Sequence, residues 1–439
     1  MQVSGNESSK KRSAIKFVKL ISALILAILI PLISFVVYET HSHVGEIKQL
    51  LSIGSDNGKQ ILGFKGQQRY LLAFQNSAEA RGTGGLIGAY AIVRIDHGRI
   101  SIEQSGSNID LINRQVLPLS MPADFVKLYG NDPAMWLNSN LSPHFPNAAL
   151  IWMKLWQMQG GKKLDGVMAI DPTVVSYILR TVGPIQSADG DLVTADNVVK
   201  LTLSDMYVKY ETNNLERKKA LVDLLTKVFA KVEASSAVQK LQIMKALLEP
   251  YKENRILFYS TNTKTQAAVA KTQLGGVLSR TAPNEYRAVV ENVDGNKMDY
   301  YLDREIKIQD LSCSPDRITE LTFAAKNTFS GKGSLPNYVW GRLDIDKPEG
   351  DGGSHRIKIL VYGPSGSTVA FATDGTGDDL PGGVYNERGR PVFVTNVVIE
   401  PNEIARVKIA FTTYNSDYPE VVTQPLILGT KVQIGKVCK

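Results

Sequence analysis

Apolar and polar positions change period several times along the chain, and each change predicts an element. "RYLLAF" (Arg69 to Phe74) and "LIGAYAIVRI" (Leu86 to Ile95) are short apolar runs bounded by turn residues, which predicts two strands. "DHGRISIEQSG" adds a hairpin turn at His97-Gly98 and a third strand. Residues 108 to 147 are rich in Pro, Asn and Ser and read as loop. In "NAALIWMKLWQMQ" the apolar residues recur every three or four positions, the mark of an amphipathic helix. "LDGVMAI" reads as a buried strand. "DPTVVSYILRTVG" reads as a helix, with Asp171 as N-cap, Pro172 in the first turn and Gly183 as the stop. "TADNVVKLTLSDMYVKY" and "LERKKALVDLLTKVFAKVE" give further helices, and "SAVQKLQIMKALLEPYKENRILFYS" a helix followed by a strand. Alternating strands and helices predict an α/β (α+β) domain over residues 65–292, a central mixed sheet flanked by helices. From 293 to 439 the pattern turns to short alternating segments, such as "RITELTFAAKN", "HRIKILVYG" and "ARVKIAFTTY", separated by Gly-, Pro- and Asp-rich turns. That predicts a C-terminal β-sandwich.

The N-terminus changes the setting. "KKRSAIKFVK" supplies five cations, and Leu20 to Tyr38 carries no charge. An apolar run of about 20 residues spans a bilayer, and the positive flank keeps its side cytoplasmic. No small-residue cleavage pattern follows in "FVVYETHSH". The sequence therefore predicts a cytoplasmic basic tail (1–16), a single transmembrane signal anchor (17–38), a stalk and linker (39–64) and an extracytoplasmic bulk at the cell membrane. The 439 residues and net charge of +7 suit two or three globular domains; no nucleic-acid partner is expected. Outside the cytoplasm disulfides persist, so the two cysteines, Cys313 and Cys438, are predicted to bridge and tie the C-terminus back.

The chemistry is sparse. The five histidines are scattered, and neither a G-x-S-x-G elbow nor a Walker A sequence is present. Glycines 82, 84 and 88 precede a strand rather than a helix, so they do not form a dinucleotide fingerprint. The stretch "QNSAEARGTGG" between the first two strands packs Gln75, Asn76, Glu79 and Arg81 beside the glycines. Arg81 either pairs with Glu79 as a plain bridge or points into a cleft as a bidentate phosphate ligand. Asp165 and Asp171 suit a strand end and a helix cap. Trp136, Trp152 and Trp156 suit a core or its rim. Asn140 and His144 lie on a long loop, where function concentrates.

"RYLLAFQNSAEARGTGGLIGAYAIVRIDHGRI" resembles the opening signature of DUF family 4012, a family of uncharacterised exported bacterial proteins. "LDGVMAIDPTVVSYILRTVGPI", "ADNVVKLTLSDMYVKYETNNLERKKALVDLL" and "DGNKMDYYLDREI" resemble that family too. The order of elements is also similar to that of LytR-CpsA-Psr enzymes. These are membrane-anchored, bind a polyprenyl-pyrophosphate-linked glycan, and transfer the glycan phosphate to the cell wall with magnesium. The second resemblance implies that Arg81 lies by the lipid pyrophosphate and that Lys209 and Arg217 supply further cations, with Gln75, Asn76 and Glu79 beside them. The sequence departs from that family in two places. No carboxylate follows the loop arginine, and "QSGSNIDLI" stands where Pro-Arg-Asp would, offering only Asp110. The expectation is an envelope protein that binds a lipid-linked glycan or cell-wall polymer, with Arg81 and Asp110 as the catalytic pair if it acts as a magnesium-assisted glycopolymer phosphotransferase or as a pyrophosphatase. The alternative is a non-catalytic envelope binding or scaffold protein.

Overall fold

A computed structural model describes residues 44–438 apart from 212, 332–334, 344–352 and 415–416. The predicted basic tail and signal anchor lie outside the described residues. Among the described residues no helix is long and apolar enough to cross a membrane.

The first layer is a five-stranded mixed sheet in the order β3-β2-β1-β4-β7. Its strands are β1 (Gln68–Arg81), β2 (Gly84–Asp96), β3 (Arg99–Ser107), β4 (Gly166–Ile170) and β7 (Leu257–Ser260). A two-stranded hairpin, β5 (Ile185–Gln186) and β6 (Leu192–Val193), stands apart from it. β1 pairs antiparallel with β2 and parallel with β4. Helices cover both faces, as the alternating pattern predicts. They are α1 (Val44–Ser52), α2 (Ser55–Ile61), α3 (Ala123–Tyr129), α4 (Phe145–Met158), α5 (Pro172–Val182), α6 (Asn214–Ala234), α7 (Ala237–Ala246), α8 (Leu248–Lys252) and α9 (Thr263–Val269). Further helical turns occupy 198–209. Asp171 caps α5 by accepting from Val174 N–H at 3.1 Å and, as a buried carboxylate, also receives Arg255. Residues 44–64, read from the sequence as stalk and linker, form α1 and α2. Leu50, Ile53, Ile61 and Leu62 of this stretch are buried in the core.

The second region is a sandwich of two five-stranded sheets. One runs β12-β15-β10-β9-β17 and comprises Thr368–Asp374, Ile404–Thr413, Arg317–Asn327, Leu302–Ser312 and Lys431–Ile434. The other runs β13-β14-β11-β8-β16 and comprises Gly383–Glu387, Arg390–Ile399, His355–Tyr362, Glu285–Asn292 and Glu420–Thr423. Strand β8 lies on the α/β side of the boundary drawn from the sequence at 292/293, yet it pairs inside the sandwich. Its burial is unbroken from Ala288 to Asn292, as in a strand covered on both faces. One face of its sheet meets the sandwich core through Tyr286, Ala288 and Val290. The other face meets the α/β core through Val289, Leu360, Tyr362 and Val392. One short helix among the described residues of the sandwich, α10 (Asn337–Trp340), lies between β10 and β11. Cys313 and Cys438 form the expected disulfide, with Cα atoms 5.8 Å apart across 125 residues of chain.

Candidate functional site

The segment "QNSAEARGTGG" is less of a loop than its glycines suggest. β1 runs through Arg81, and the turn proper is Gly82-Thr83. Between the pairs Asn76↔Leu86 and Ala80↔Gly85 the register slips, so residues 77–79 bulge out of the ladder. Glycine is required by close backbone approach, but to protein rather than ligand. A Cβ at Gly82 would lie 1.9 Å from Leu141 O, and one at Gly85 2.0 Å from Asn76 O.

The bulge drives the hairpin tip into the sandwich. Ala80 joins the sandwich core, and its N–H donates to Asp299 at 2.9 Å. Arg81 is buried, and all five of its N–H donors have protein acceptors. Nε donates to Leu137 O at 2.9 Å, Nη1 to Ala80 O and Asn292 O, and Nη2 to Glu79 at 3.0 Å and Asn138 at 3.1 Å. The second Glu79 oxygen receives Lys297, which is 2% exposed. Burial works against the Lys297 charge, but Glu79 outweighs it and the pKa rises above the ordinary lysine value. Asp299 pairs with buried His355 at 3.3 Å. Burial raises the Asp299 carboxyl, and the His355 charge and its hydrogen bonds outweigh that, leaving it below the usual range. The expectation that Arg81 faces a cleft is therefore corrected. Its hydrogen-bonding capacity is spent on locking the two regions together.

Unsaturated cations lie one step back along β1. A cavity of about 40 Å³ is lined by Phe74, Gln75, Asn76, Tyr207, Arg217 and Lys218, among others. Asn76 donates to the Tyr207 hydroxyl at 2.7 Å. The Arg217 guanidinium sits 3.9 Å from the Tyr207 ring centroid, and Tyr207 stacks on Tyr338 of α10 with centroids 5.7 Å apart. Lys297 lies 4.9 Å from the Tyr338 ring. Lys218, half-buried, donates to Gly88 O at 3.2 Å. Burial, then the neighbouring charges of Arg217 and Lys297, push its pKa down to about 7, against the pull of Glu79 and Asp110. Lys218 thus sits among the cations Arg217 and Lys297, while the two carboxylates that act on it are already engaged, Glu79 with Arg81 and Lys297 and Asp110 with Ser107, an arrangement that favours an incoming anion.

Behind this mouth the cavities continue, and their walls are apolar. A small one of about 30 Å³ shares Phe74 and Leu225 with the mouth. It shares Leu72, Val93 and Phe229 with a third, of about 270 Å³, whose lining is almost wholly hydrocarbon. β1 explains the gradient. Leu72, Phe74 and Asn76 alternate onto one face of the sheet, apolar, apolar, polar. Helix α6 repeats the gradient in reverse. Arg217 and Lys218 are in its first turns, and Leu221, Leu225, Phe229 and Val232 follow at helical spacing. The far end of the 270 Å³ cavity is lined by Leu50 and Ile61 of α1 and α2. Helix α4, which carries "NAALIWMKLW", packs on the opposite face.

The remaining candidates divide. Gln75 and Asn76 line the mouth, Arg217 is part of it, and Glu79 and Asp110 act on Lys218 through their charge. Lys209 lies outside it. Its ammonium is held by Asp189 at 2.8 Å and Asp191 at 2.5 Å, which raise its pKa. Asp110 closes its own turn by accepting from Ser107 N–H at 2.7 Å. Among the described residues no group of three or more His, Cys, Asp or Glu side chains is placed to hold a metal ion. With Glu79 and Asp110 both committed, the residues here do not fit a magnesium site. Asn140 is buried and bonds Gln75, Thr83 and Gly85, and His144 accepts from Leu278 N–H, so both are structural. Trp136, Trp152 and Trp156 are core residues. Sequence reasoning missed Lys218, Lys297, Tyr207 and Tyr338. Lys218 was within reach, as a cation opening an amphipathic helix next to Arg217. No local signal marks Lys297 or Tyr338, which arrive from the sandwich.

The family model described as a protein of unknown function (DUF4012) matches residues 65–207, which bears out that family resemblance over the β1–β4 sheet and the Tyr207 turn. No curated protein matches the chain. Among solved structures the chain is similar to protein gbs0355 from Streptococcus agalactiae, at 15% identity and a TM-score of 0.30, over 49% of this chain and 76% of that one. It is also similar to Lin1025 protein from Listeria innocua, at 13% identity and a TM-score of 0.24, over 51% of this chain and 85% of that one. Likeness this distant carries no functional argument.

Proposed function

We propose that this is a membrane-anchored, extracytoplasmic envelope protein that binds an anionic polyisoprenoid amphiphile of the lipid-linked glycan class. The phosphate sits against Arg217 and Lys218, with Asn76 and Tyr207 beside them, and the hydrocarbon tail lies along the cavities between the sheet and α5, α6 and α7. The observation that carries this reading is the continuity of wall-sharing cavities from a cationic mouth to a hydrocarbon interior that ends beside α1. Leu50, at that end, stands 12 residues after Tyr38, the last residue of the predicted anchor, so the tail end of the cavity is tethered close to a membrane surface.

Binding is favoured over glycopolymer transfer. The cations that hold a phosphate are present, whereas the carboxylates that would carry magnesium-assisted transfer are tied up in the fold. Calorimetry on the full chain tests the reading with geranylgeranyl phosphate, geranylgeraniol and inorganic phosphate. The phosphate ester is expected to bind at least about tenfold more tightly than either of its halves, and Arg217→Ala to remove about that factor, as loss of a charge-assisted pair does. Equal affinity for the alcohol and the phosphate would show that the mouth does not read the headgroup.

A further inference from the structure

Lysine is rarely buried without a counter-ion. Among the described residues two lysines are buried, and they differ in company. Lys297 is paired with Glu79. Lys240, at 8% exposure, makes no side-chain hydrogen bond or ion pair. Its ammonium is nevertheless not sealed in protein. Lys240 stands in the first turn of α7, and Ile243, Met244 and Leu247 follow at helical spacing, all four lining the 270 Å³ cavity. The helix thus presents a cation where its pattern has room for one more apolar residue. The other polar side chain in that lining is Tyr251, whose hydroxyl donates to Gln49 at 2.8 Å. Helix α6 shows which end of the cavity this is. Phe229 and Val232, toward the C-terminus of α6, line the same space. Val232 is 14 residues past Lys218, about 21 Å at helical rise. Only Ser235 and Ser236 join α6 to α7, so Lys240 stands by this end and not by the mouth. The apolar space therefore has cations at both ends, Arg217 and Lys218 at one and Lys240 at the other.

We infer that the Lys240 end of the cavity binds a single-chain aliphatic carboxylate, with its head on the ammonium and its chain in the hydrocarbon space. The lining selects the chain, because it offers alkyl surface and almost no hydrogen bonds. A peptide or a sugar would strand its amides or hydroxyls against that surface. The head is selected by charge. Lys240 is the one cation in the lining and neutralises one negative charge, whereas a phosphate monoester would bring a second charge into apolar surroundings without a partner. The inference shares its cavity with the function proposed above but rests on Lys240, and a chain entering from this end would exclude the polyisoprenoid tail.

Calorimetry on the full chain with octanoate, decanoate, dodecanoate and dodecanol tests the inference. Uptake by the detergent that holds the predicted anchor in solution is common to parent and variants, so the difference between them reads the site. Dodecanoate is expected to bind saturably and at least about tenfold more tightly than dodecanol, and affinity to rise roughly tenfold for each two methylenes from octanoate. Lys240→Met, an apolar side chain in an apolar setting, is expected to fold and to lose the preference for the carboxylate, and Lys240→Arg to keep it. Met244→Trp, which fills the cavity, is expected to weaken acid and alcohol alike. Three outcomes overturn the inference: no saturable binding of dodecanoate, equal affinity for dodecanoate and dodecanol, or a Lys240→Met variant that keeps the preference, which would put the carboxylate elsewhere. No phosphate is present and Arg217 is untouched, so failure here leaves the reading at the cationic mouth standing, and failure of that reading leaves this one.

Discussion

The two faces of the first sheet are built from alternate residues of the same strands, and they differ in kind. On one face Leu71 and Ala73 of β1 and Val167 and Ala169 of β4 meet Phe145, Trp152 and Leu155 of α4, all at 1% exposure or less. On the other face Leu72 and Phe74 stay half-buried against a cavity of about 270 Å³ and its extension. Interiors normally pack to crystal density. A domain that fills one face and leaves hydrocarbon-lined space on the other has spent stability there. The same split holds for charge, since Arg81 has every donor satisfied while Lys218 has a single carbonyl. The filled, satisfied side is architecture. The open, under-satisfied side is where, on the function proposed above, a ligand would complete the packing.

The largest effect should come from attacking the filled face. Trp152→Ala is expected to cost about 4 kcal/mol in denaturant unfolding, through lost burial and the cavity left behind. Phe229→Ala, on the open face, should cost less than half of that, because Phe229 already borders space. Equal costs would mean the two faces are packed alike. Next in size is Glu79→Gln, which strands Arg81 and Lys297 without their shared counter-charge. The expected loss is about 3 kcal/mol of stability, and binding of geranylgeranyl phosphate by the protein that remains folded should persist. Stability unchanged but binding abolished would return Arg81 and Glu79 to the ligand site.

The smallest effect has the opposite sign. Lys218 is held charged in a desolvated setting, so Lys218→Met is expected to raise stability by about 1 kcal/mol near neutral pH. The sign follows from proton counting. With the folded pKa at about 7 and the unfolded one near the ordinary lysine value, the unfolded chain binds more protons between the two. The penalty is full below about 7 and fades as pH rises through that window, and the gain from Lys218→Met should fade with it. Thermal melts at several pH values check this, and a variant less stable than the parent at neutral pH would refute it.

Much of the architecture was legible in the sequence because it rests on period. The strand runs at 69–74 and 86–95, the capped helix after Asp171, the change to short alternating segments and the disulfide all follow from local pattern. The functional details were less legible because they depend on register and on distant chain. The bulge at 77–79 turns Glu79 and Arg81 away from the channel, and nothing in "NSAEAR" announces a three-residue slip. Lys297 and Tyr338 reach the mouth only because the hairpin tip plugs the sandwich. Lys209 looked equivalent to Arg217 in sequence, but Asp189 and Asp191 neutralise it.

The central claim, an anion completed by Lys218 at the head of an apolar channel, is tested most directly by the pH dependence of geranylgeranyl phosphate binding. A phosphate monoester loses its second proton near about 6, so above about 7 its own charge is constant. A bound dianion raises the Lys218 pKa above its free value of about 7. Affinity should therefore be greatest near about pH 7 and fall as pH rises toward about 9, and Lys218→Met should bind more weakly with that slope removed. A parent protein whose affinity is flat across this window, or a Lys218→Met variant that keeps the slope, would contradict the account.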